Sequence, residues 1–410
     1  KKAHATIKQH VHANSDDVII TCGSGMTSAV SKFQRILGFK VPEGYKGAKR
    51  DGGQERPVVF ITHMEHHSNQ TSWLECEVDV VVIPPGDNLL VDPAQLEIIL
   101  RQYKERTVKI GAFTACSNVT GISTPYHALA KIMHRNNGLC FVDFAASAPY
   151  VNMNMHPEDE DARLDAIFFS PHKFLGGPGS TGVLIFNKNL YTNKVPDQPG
   201  GGTVLWTNPW GEHHYFDDIE TREDGGTPSF LQTIKAALAI LLKEKLDVDK
   251  MARQERFLVE KAFGRLSNIP NLHILAPDVR ERIGVISFYV DSVHYNFIVR
   301  VLSDHFGIQV RGGCSCAGTY GHYLLHVTTE QSRTITSRID TGDLSLKPGW
   351  VRLSLHPVMT ETELEFILDS IEEIARHPEK WEGLYTYDLH TNEYKPIKPD
   401  ATIEVDRWFD

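Results

Sequence analysis

An α/β fold with a mainly parallel sheet, followed by a smaller C-terminal α/β domain, is the architecture this sequence predicts. Three observations carry it. Short apolar runs alternate with helical patterns through residues 17–186, the strand-helix-strand rhythm of a parallel sheet covered on both faces. A helical pattern then runs from Gly225-Gly226-Thr227-Pro228 to about residue 266. Beyond it strands and helices resume over a shorter stretch.

In chain order, strands are expected at 17–21, 57–62, 78–83, 108–113, 139–143, 165–169 and 182–186, each a run rich in Val, Ile or Phe. Helices are expected at 28–37, 93–105 and 125–136, the last introduced by Ser123-Thr124-Pro125, a good helix start. The stretch 46–55 reads as a polar, Gly-rich loop. The long pattern through Ile234-Lys235-Ala236-Ala237-Leu238-Ala239-Ile240-Leu241 continues as a second helix and reads as a spine joining two domains. This divides the chain into a large domain (1–230), connecting helices (231–266) and a small domain (267–410). In the small domain, strands are expected at 284–289, 308–311 and 350–355, and helices at 296–306 and 360–376. From Trp381 onward the pattern is too irregular to assign.

Composition narrows the function classes. A chain of 410 residues with 41% hydrophobic and 23% charged residues is an ordinary globular protein, long enough for two domains without disulfide staples. With 42 basic against 52 acidic residues the net charge is −10, which gives no general reason to expect nucleic acid or an anionic membrane as partner. No stretch approaches the ~20 apolar residues of a membrane span. Six cysteines are too few for a disulfide framework; Cys22, Cys76, Cys116 and Cys140 stand apart as thiols of a reducing compartment, so a cytoplasmic location is expected. Cys314 and Cys316 are the exception, paired within Arg311-Gly312-Gly313-Cys314-Ser315-Cys316-Ala317. The chain opens on Lys1, so it is expected to begin inside a longer gene product.

Ligands of open parallel sheets bind at the carboxyl ends of the strands, and the residues there carry the chemistry. Gly23-Ser24-Gly25-Met26-Thr27 precedes a helix whose free N–H groups can hold a phosphate, although such a segment also serves as a plain turn. His63-Met64-Glu65-His66-His67-Ser68-Asn69, Ser117-Asn118, Asp143 and Ser170-Pro171-His172-Lys173 end later strands. His63 and His67 are four apart, but the glutamate is misplaced for a zinc-protease pattern and no metal is expected. An acid ending an apolar strand, Asp143, must be paired or hydrogen-bonded. Lys173, following another apolar strand and partly desolvated, suits Schiff-base chemistry. Pyridoxal phosphate uses these parts together: a lysine for its aldehyde, an acid for its ring nitrogen, a ring to stack on it, and N–H and hydroxyl groups for its phosphate.

Glu65-His66-His67-Ser68-Asn69, Ser117-Asn118-Val119-Thr120-Gly121, Val142-Asp143, Ser170-Pro171-His172-Lys173, Gly226-Thr227-Pro228, the two-cysteine segment and Arg352-Leu353-Ser354-Leu355 occur in the order and rough spacing of one family. The chain resembles the class V aminotransferase superfamily over about residues 5–375, most closely its cysteine desulfurases and selenocysteine lyases. The resemblance implies fold type I of the pyridoxal-phosphate enzymes. It implies that Lys173 bonds the cofactor aldehyde and moves a proton, that Asp143 pairs with the ring nitrogen, and that His66 stacks on the ring. Asn118 would contact the ring near its phenolic oxygen, while Gly25, Thr27, Ser170 and His172 would hold phosphate. Thr227 would reach the phosphate of a neighbouring subunit, implying a homodimer with shared active sites. Arg352, with Arg311 nearby, would bind the carboxylate of an amino-acid substrate. Cys316 would be the nucleophile that takes sulfur from L-cysteine, leaving alanine and a persulfide for a sulfur-acceptor protein. Where these desulfurases carry a glutamine three residues after the ring-binding acid, this chain has Ala146, with Ser147 the nearest substitute. The alternative activity is that of an aminotransferase, epimerase or other amino-acid lyase on the same scaffold.

Overall fold

The computed structural model describes residues 1–46 and 55–398, so the Gly-rich segment 47–54 and the tail 399–410 lie outside the described residues. The chain forms two compact units, Lys1–Arg253 and Gln254–Asp410. In the first, the order is α1 (Lys2–His10), β1 (Asp17–Cys22), α2 (Met26–Ile36), β2 (Val58–Thr62), α3 (His67–Leu74), β3 (Asp79–Ile83), α4 (Pro93–Leu100), β4 (Lys109–Thr114), α5 (Tyr126–Arg135), β5 (Leu139–Asp143), β6 (Ala166–Phe169), β7 (Gly182–Asn187), the hairpin β8 (Val204–Thr207) and β9 (His213–Tyr215), α6 (Ile219–Arg222) and α7 (Phe230–Leu246). The helix α8 (Val248–Leu266) contains the division between the units. The second unit holds β10 (Leu272–Ile274), β11 (Val285–Val290), α9 (Tyr295–Phe306), β12 (Arg311–Gly313), α10 (Gly318–Leu324), α11 (Thr329–Asp340), β13 (Trp350–Ser354), α12 (Glu361–Arg376), α13 (Glu379–Glu382) and the hairpin β14 (Tyr385–Asp388) and β15 (Glu393–Pro396).

The large sheet runs β1-β7-β6-β5-β4-β2-β3. From β3 through β6 the neighbours are parallel, and β7 lies antiparallel to both β6 and β1. Its central strands β2, β4, β5 and β6 are buried along their whole length except for Leu139, as a sheet covered on both faces requires. The Phe33 ring of α2 packs on Phe141 of β5 and Phe186 of β7 with centroids 5.1 and 4.9 Å apart, fixing α2 against the sheet. That packing sets the N-terminus of α2 beside the ends of the strands.

The second unit is a four-stranded antiparallel sheet, β10-β11-β13-β12, packed by α9 and α12 around Phe288, Val301, Leu353 and Leu368. One expectation is corrected here. Residues 308–310, expected to open a strand, make no ladder; Gly307 ends α9 in a left-handed conformation and pairing with β13 begins only at Arg311. Within the stretch from Trp381, unassigned from sequence, residues 385–396 form the hairpin β14–β15.

Candidate active site

In the first unit the strand ends converge on one cluster. Asp143, the last residue of β5, stands opposite Thr114 on β4 and Phe168 on β6. It is 4% exposed and accepts a hydrogen bond from the Ala145 N–H at 2.8 Å. Burial pushes its carboxyl up to about 6, against the lowering pull of that N–H and of the Lys173 charge. Lys173 ends a 3₁₀ turn, Pro171–Lys173, directly after β6, and its side chain is exposed.

The start of α2 meets the same turn. Ser170 Oγ accepts from the Met26 N–H at 2.8 Å, and His172 Nδ1 lies 2.5 Å from the Ser24 carbonyl. Gly25 sits between them; a Cβ there would come within 2.8 Å of the His172 ring and 3.1 Å of Ser170 Oγ, so a larger residue would push the His172 ring from its place. Gly25 at the N-cap offers no capping side chain, so beyond the Met26 N–H held by Ser170 the positive first turn of α2 has no cap from its own segment. Thr27 Oγ1 and Ser68 Oγ, 2.7 Å apart, add two hydroxyls. The sequence offers Ser68 only as part of a motif, because its contact with Thr27 spans 41 residues.

His66 caps α3, its Nδ1 accepting the Ser68 N–H at 3.1 Å, which places the ring proton on Nε2. His63 lies before that helix with Nε2 3.0 Å from the Leu89 carbonyl, so it and His67 share no helical face. Asn118 follows β4 in a turn closed by Gly121 N–H to Ser117 O at 2.9 Å. Ser147 is 1% exposed, whereas Ala146 is half-buried. Thr227 is exposed in the segment before α7.

Sequence reasoning gives Glu65 no role. Its Oε1 accepts from Thr62 N–H (3.2 Å), Thr62 Oγ1 (2.7 Å) and Thr114 N–H (2.9 Å), and its Oε2 from Asn69 Nδ2 (2.8 Å). It ties the ends of β2 and β4 to α3, one strand away from Asp143. Burial raises its carboxyl to about 7 although every partner is a donor. An acid three residues after the apolar strand 58–62 was the signal available for it.

The second unit brings its three residues together by register. Arg311 on β12 pairs directly with Arg352 on β13, so both guanidinium stems leave the same face. Like charges opposite each other are unfavourable unless an anion is shared between them. Arg311 Nη2 lies 3.5 Å from Cys316 Sγ, and Ser315 and Cys316 both have left-handed φ, 53° and 59°, an unfavourable backbone for non-glycine residues. All six cysteines are free; burial raises the thiols of Cys22 and Cys76 to about 11 and that of Cys140 well above its ordinary value.

Among the described residues no group of three His, Cys, Asp or Glu is placed to hold a metal, and no helix is long and apolar enough to cross a membrane. A probable cysteine desulfurase of Halalkalibacterium halodurans is 30% identical over 325 residues, 77% of this chain and 72% of the relative. The apo cysteine desulfurase of Thermococcus onnurineus superposes with a TM-score of 0.72 at 23% identity, covering 92% of this chain and 83% of that one. A C-DES structure with glycine covalently linked to its PLP cofactor superposes with a TM-score of 0.66 at 16% identity, covering 91% and 84%. The family model for class V aminotransferases matches residues 1–367, through both the strand-end cluster and the cysteine loop, and the chain belongs to that family.

Proposed function

We propose that this protein is a pyridoxal-phosphate-dependent cysteine desulfurase, converting L-cysteine to alanine and a persulfide on Cys316. The strand-end cluster fits the cofactor: a glycine-made cradle at the start of α2 for phosphate, a buried carboxyl for the ring nitrogen, and an exposed lysine for the aldehyde. Bound there, pyridoxal phosphate supplies an electron sink for the substrate Cα. Asp143, desolvated and at the end of β5, holds the ring-nitrogen proton. Ser170, His172 and Thr27 with the α2 N-terminus bind phosphate, His66 stacks on the ring, and Asn118 orients it. Lys173 Nζ takes the Cα proton and returns it to the product.

The observation that carries the desulfurase reading is the cross-strand pair Arg311 and Arg352 with Cys316 Sγ 3.5 Å from Arg311. Arg352 clamps the substrate carboxylate, and the Cys316 sulfur, held 3.5 Å from the Arg311 guanidinium, attacks the substrate sulfur. The test is Cys316→Ser. Its holoenzyme is expected to keep the cofactor absorbance of the parent and to release no alanine from L-cysteine; full alanine turnover by this variant would refute the reading.

Ala146 in place of the family glutamine favours a second reading, a class V aminotransferase or other amino-acid lyase. Accumulation of the pyridoxamine form on incubation with single amino acids identifies that case. The homodimer is supported by α7, whose residues Phe230, Ile234, Leu238 and Leu241 form one apolar face, each at least 45% exposed. A second copy covering this face brings Thr227, three residues before the helix, towards the partner's phosphate site. Six free thiols support a reducing compartment such as the cytoplasm.

A further inference from the structure

The second unit contains a cavity of about 630 Å³, within the range of small-molecule sites, which reaches Cys316 and Arg311 but extends over α9 and the β14–β15 hairpin, to which the mechanism above gives no role. The loop carrying Cys314 and Cys316 lines one side, α9 another, and the β14–β15 hairpin the third. That hairpin lies beyond residues 1–367, the part the family model matches. It is fastened rather than loose. Asn392 Nδ2 donates to Tyr295 Oη at 2.7 Å, its carbonyl accepts from Asn296 Nδ2 at 2.6 Å, and its Oδ1 accepts from Tyr387 Oη at 2.9 Å. His294 stacks on Tyr295 with centroids 4.3 Å apart.

The lining is basic in a chain whose net charge is −10. Arg300, Arg311, Lys347 and Lys395 face the cavity against the single acid Glu393. Arg300 is matched by Asp304 at 2.8 Å and Lys395 by Asp388 at 3.1 Å. Among the described residues neither Arg311 nor Lys347 has a carboxylate within 4.0 Å. Arg311 is engaged with the Cys316 sulfur, which leaves Lys347 as the cation open to an incoming anion.

We propose that this cavity binds a small thiol carrying a carboxylate, and that this thiol accepts the sulfur held on Cys316; the proposal rests on the desulfurase reading. The acceptor thiolate attacks the outer sulfur of the Cys316 persulfide. A sulfur–sulfur bond forms to the acceptor, the one to Cys316 breaks, and Cys316 leaves as a thiolate facing the Arg311 guanidinium. The hydrogen on the outer sulfur travels with it, and one sulfur–sulfur bond replaces another, so no oxidant or reductant is consumed. Lys347 pairs with the acceptor carboxylate. A cavity of this volume suits a small molecule, and transfer only to a protein is the opposing outcome.

The test uses the holoenzyme with L-cysteine and three thiols of similar size: 3-mercaptopropionate, 2-mercaptoethanol and cysteamine, which are anionic, neutral and cationic. Without added thiol, the first turnover of alanine reports the desulfurase reading and L-cysteine, itself a thiol with a carboxylate, sets the background rate; the rise in steady rate over that background on adding thiol reports the acceptor. 3-Mercaptopropionate is expected to half-saturate at about a tenfold lower concentration than 2-mercaptoethanol, with cysteamine the weakest. Lys347→Ala removes that preference and Lys347→Glu turns it towards cysteamine, both with the first turnover unchanged. Calorimetric titration with the unreactive 3-(methylthio)propionate gives a second readout, and both variants weaken its binding about tenfold. Indifference of the rate to thiol charge, or turnover only with a protein acceptor, overturns the proposal. If the first turnover is absent, the desulfurase reading fails, and the titration still decides whether the cavity takes the anion.

Discussion

Replacing Asp143 with asparagine should stabilise the cofactor-free protein while removing its function, and the size of the gain follows from the carboxyl's surroundings. Burial raises the Asp143 carboxyl from its ordinary 3.8 to about 6, so the folded chain holds this proton more tightly than the unfolded chain. Unfolding therefore releases a proton between those values, and stability falls as pH rises from about 4 to about 6, then levels. The full difference corresponds to about 3 kcal/mol, an upper bound that solvent relaxation reduces to about 1–3 kcal/mol. The amide introduced by Asp143→Asn does not titrate, and its oxygen can keep the 2.8 Å bond from the Ala145 N–H. Urea unfolding of apo-protein at pH 7.5 and pH 4.5 measures the effect. The variant should be more stable than the parent at pH 7.5, with most of the advantage gone at pH 4.5, and should lose most turnover once loaded with cofactor. An apo variant no more stable than the parent at pH 7.5, or an advantage independent of pH, would refute the reasoning.

Two further outcomes follow from the same geometry. Glu65→Ala should cost about 1–3 kcal/mol at pH 7.5, because the buried Thr62 N–H, Thr62 Oγ1, Thr114 N–H and Asn69 Nδ2 all lose their acceptor. That loss is larger than the gain from no longer burying a carboxylate that desolvation raises to about 7. Asn69 is held in place by its bonds to the Ala112 carbonyl and Trp73 Nε1, so an unchanged urea midpoint would contradict the network. Leu231→Glu with Leu238→Glu places two charges on the exposed face of α7, at residues 77% and 59% exposed. Light scattering should show a dimer for the parent and a monomer for the variant; a monomeric parent, or a dimeric variant, removes the support for subunit sharing.

Asp143 was legible in the sequence because it is a charge at the end of an apolar strand, where burial is expensive and a reason is required, whereas Lys173, expected to be partly desolvated, is exposed at the end of its 3₁₀ turn and was legible only through its motif. The central strands were legible because a sheet covered on both faces writes itself as continuous Val, Ile and Phe. Glu65 was not, since Thr114, which completes its hydrogen bonds, comes from a strand 49 residues away. The cross-strand pairing of Arg311 with Arg352 likewise depends on register between segments 41 residues apart, and a strand placed at 308–311 hid it. Helix α11 was missed because it buries no residue and so writes no apolar stripe, although its Thr328 and Gln331 capping box is present in the sequence. The β14–β15 hairpin was missed because it pairs only four residues a side, with Pro396 at its end, too short for alternation to register.

The central claim, that Cys316 takes sulfur from the substrate, is tested most directly by peptide mass spectrometry. The holoenzyme is exposed to L-cysteine, quenched by alkylation and digested. A mass gain of one sulfur on the peptide containing Cys316, absent in Cys316→Ser, is the predicted result. An unmodified Cys316 alongside a changed cofactor spectrum would contradict it and assign the site to amino-acid chemistry without sulfur transfer.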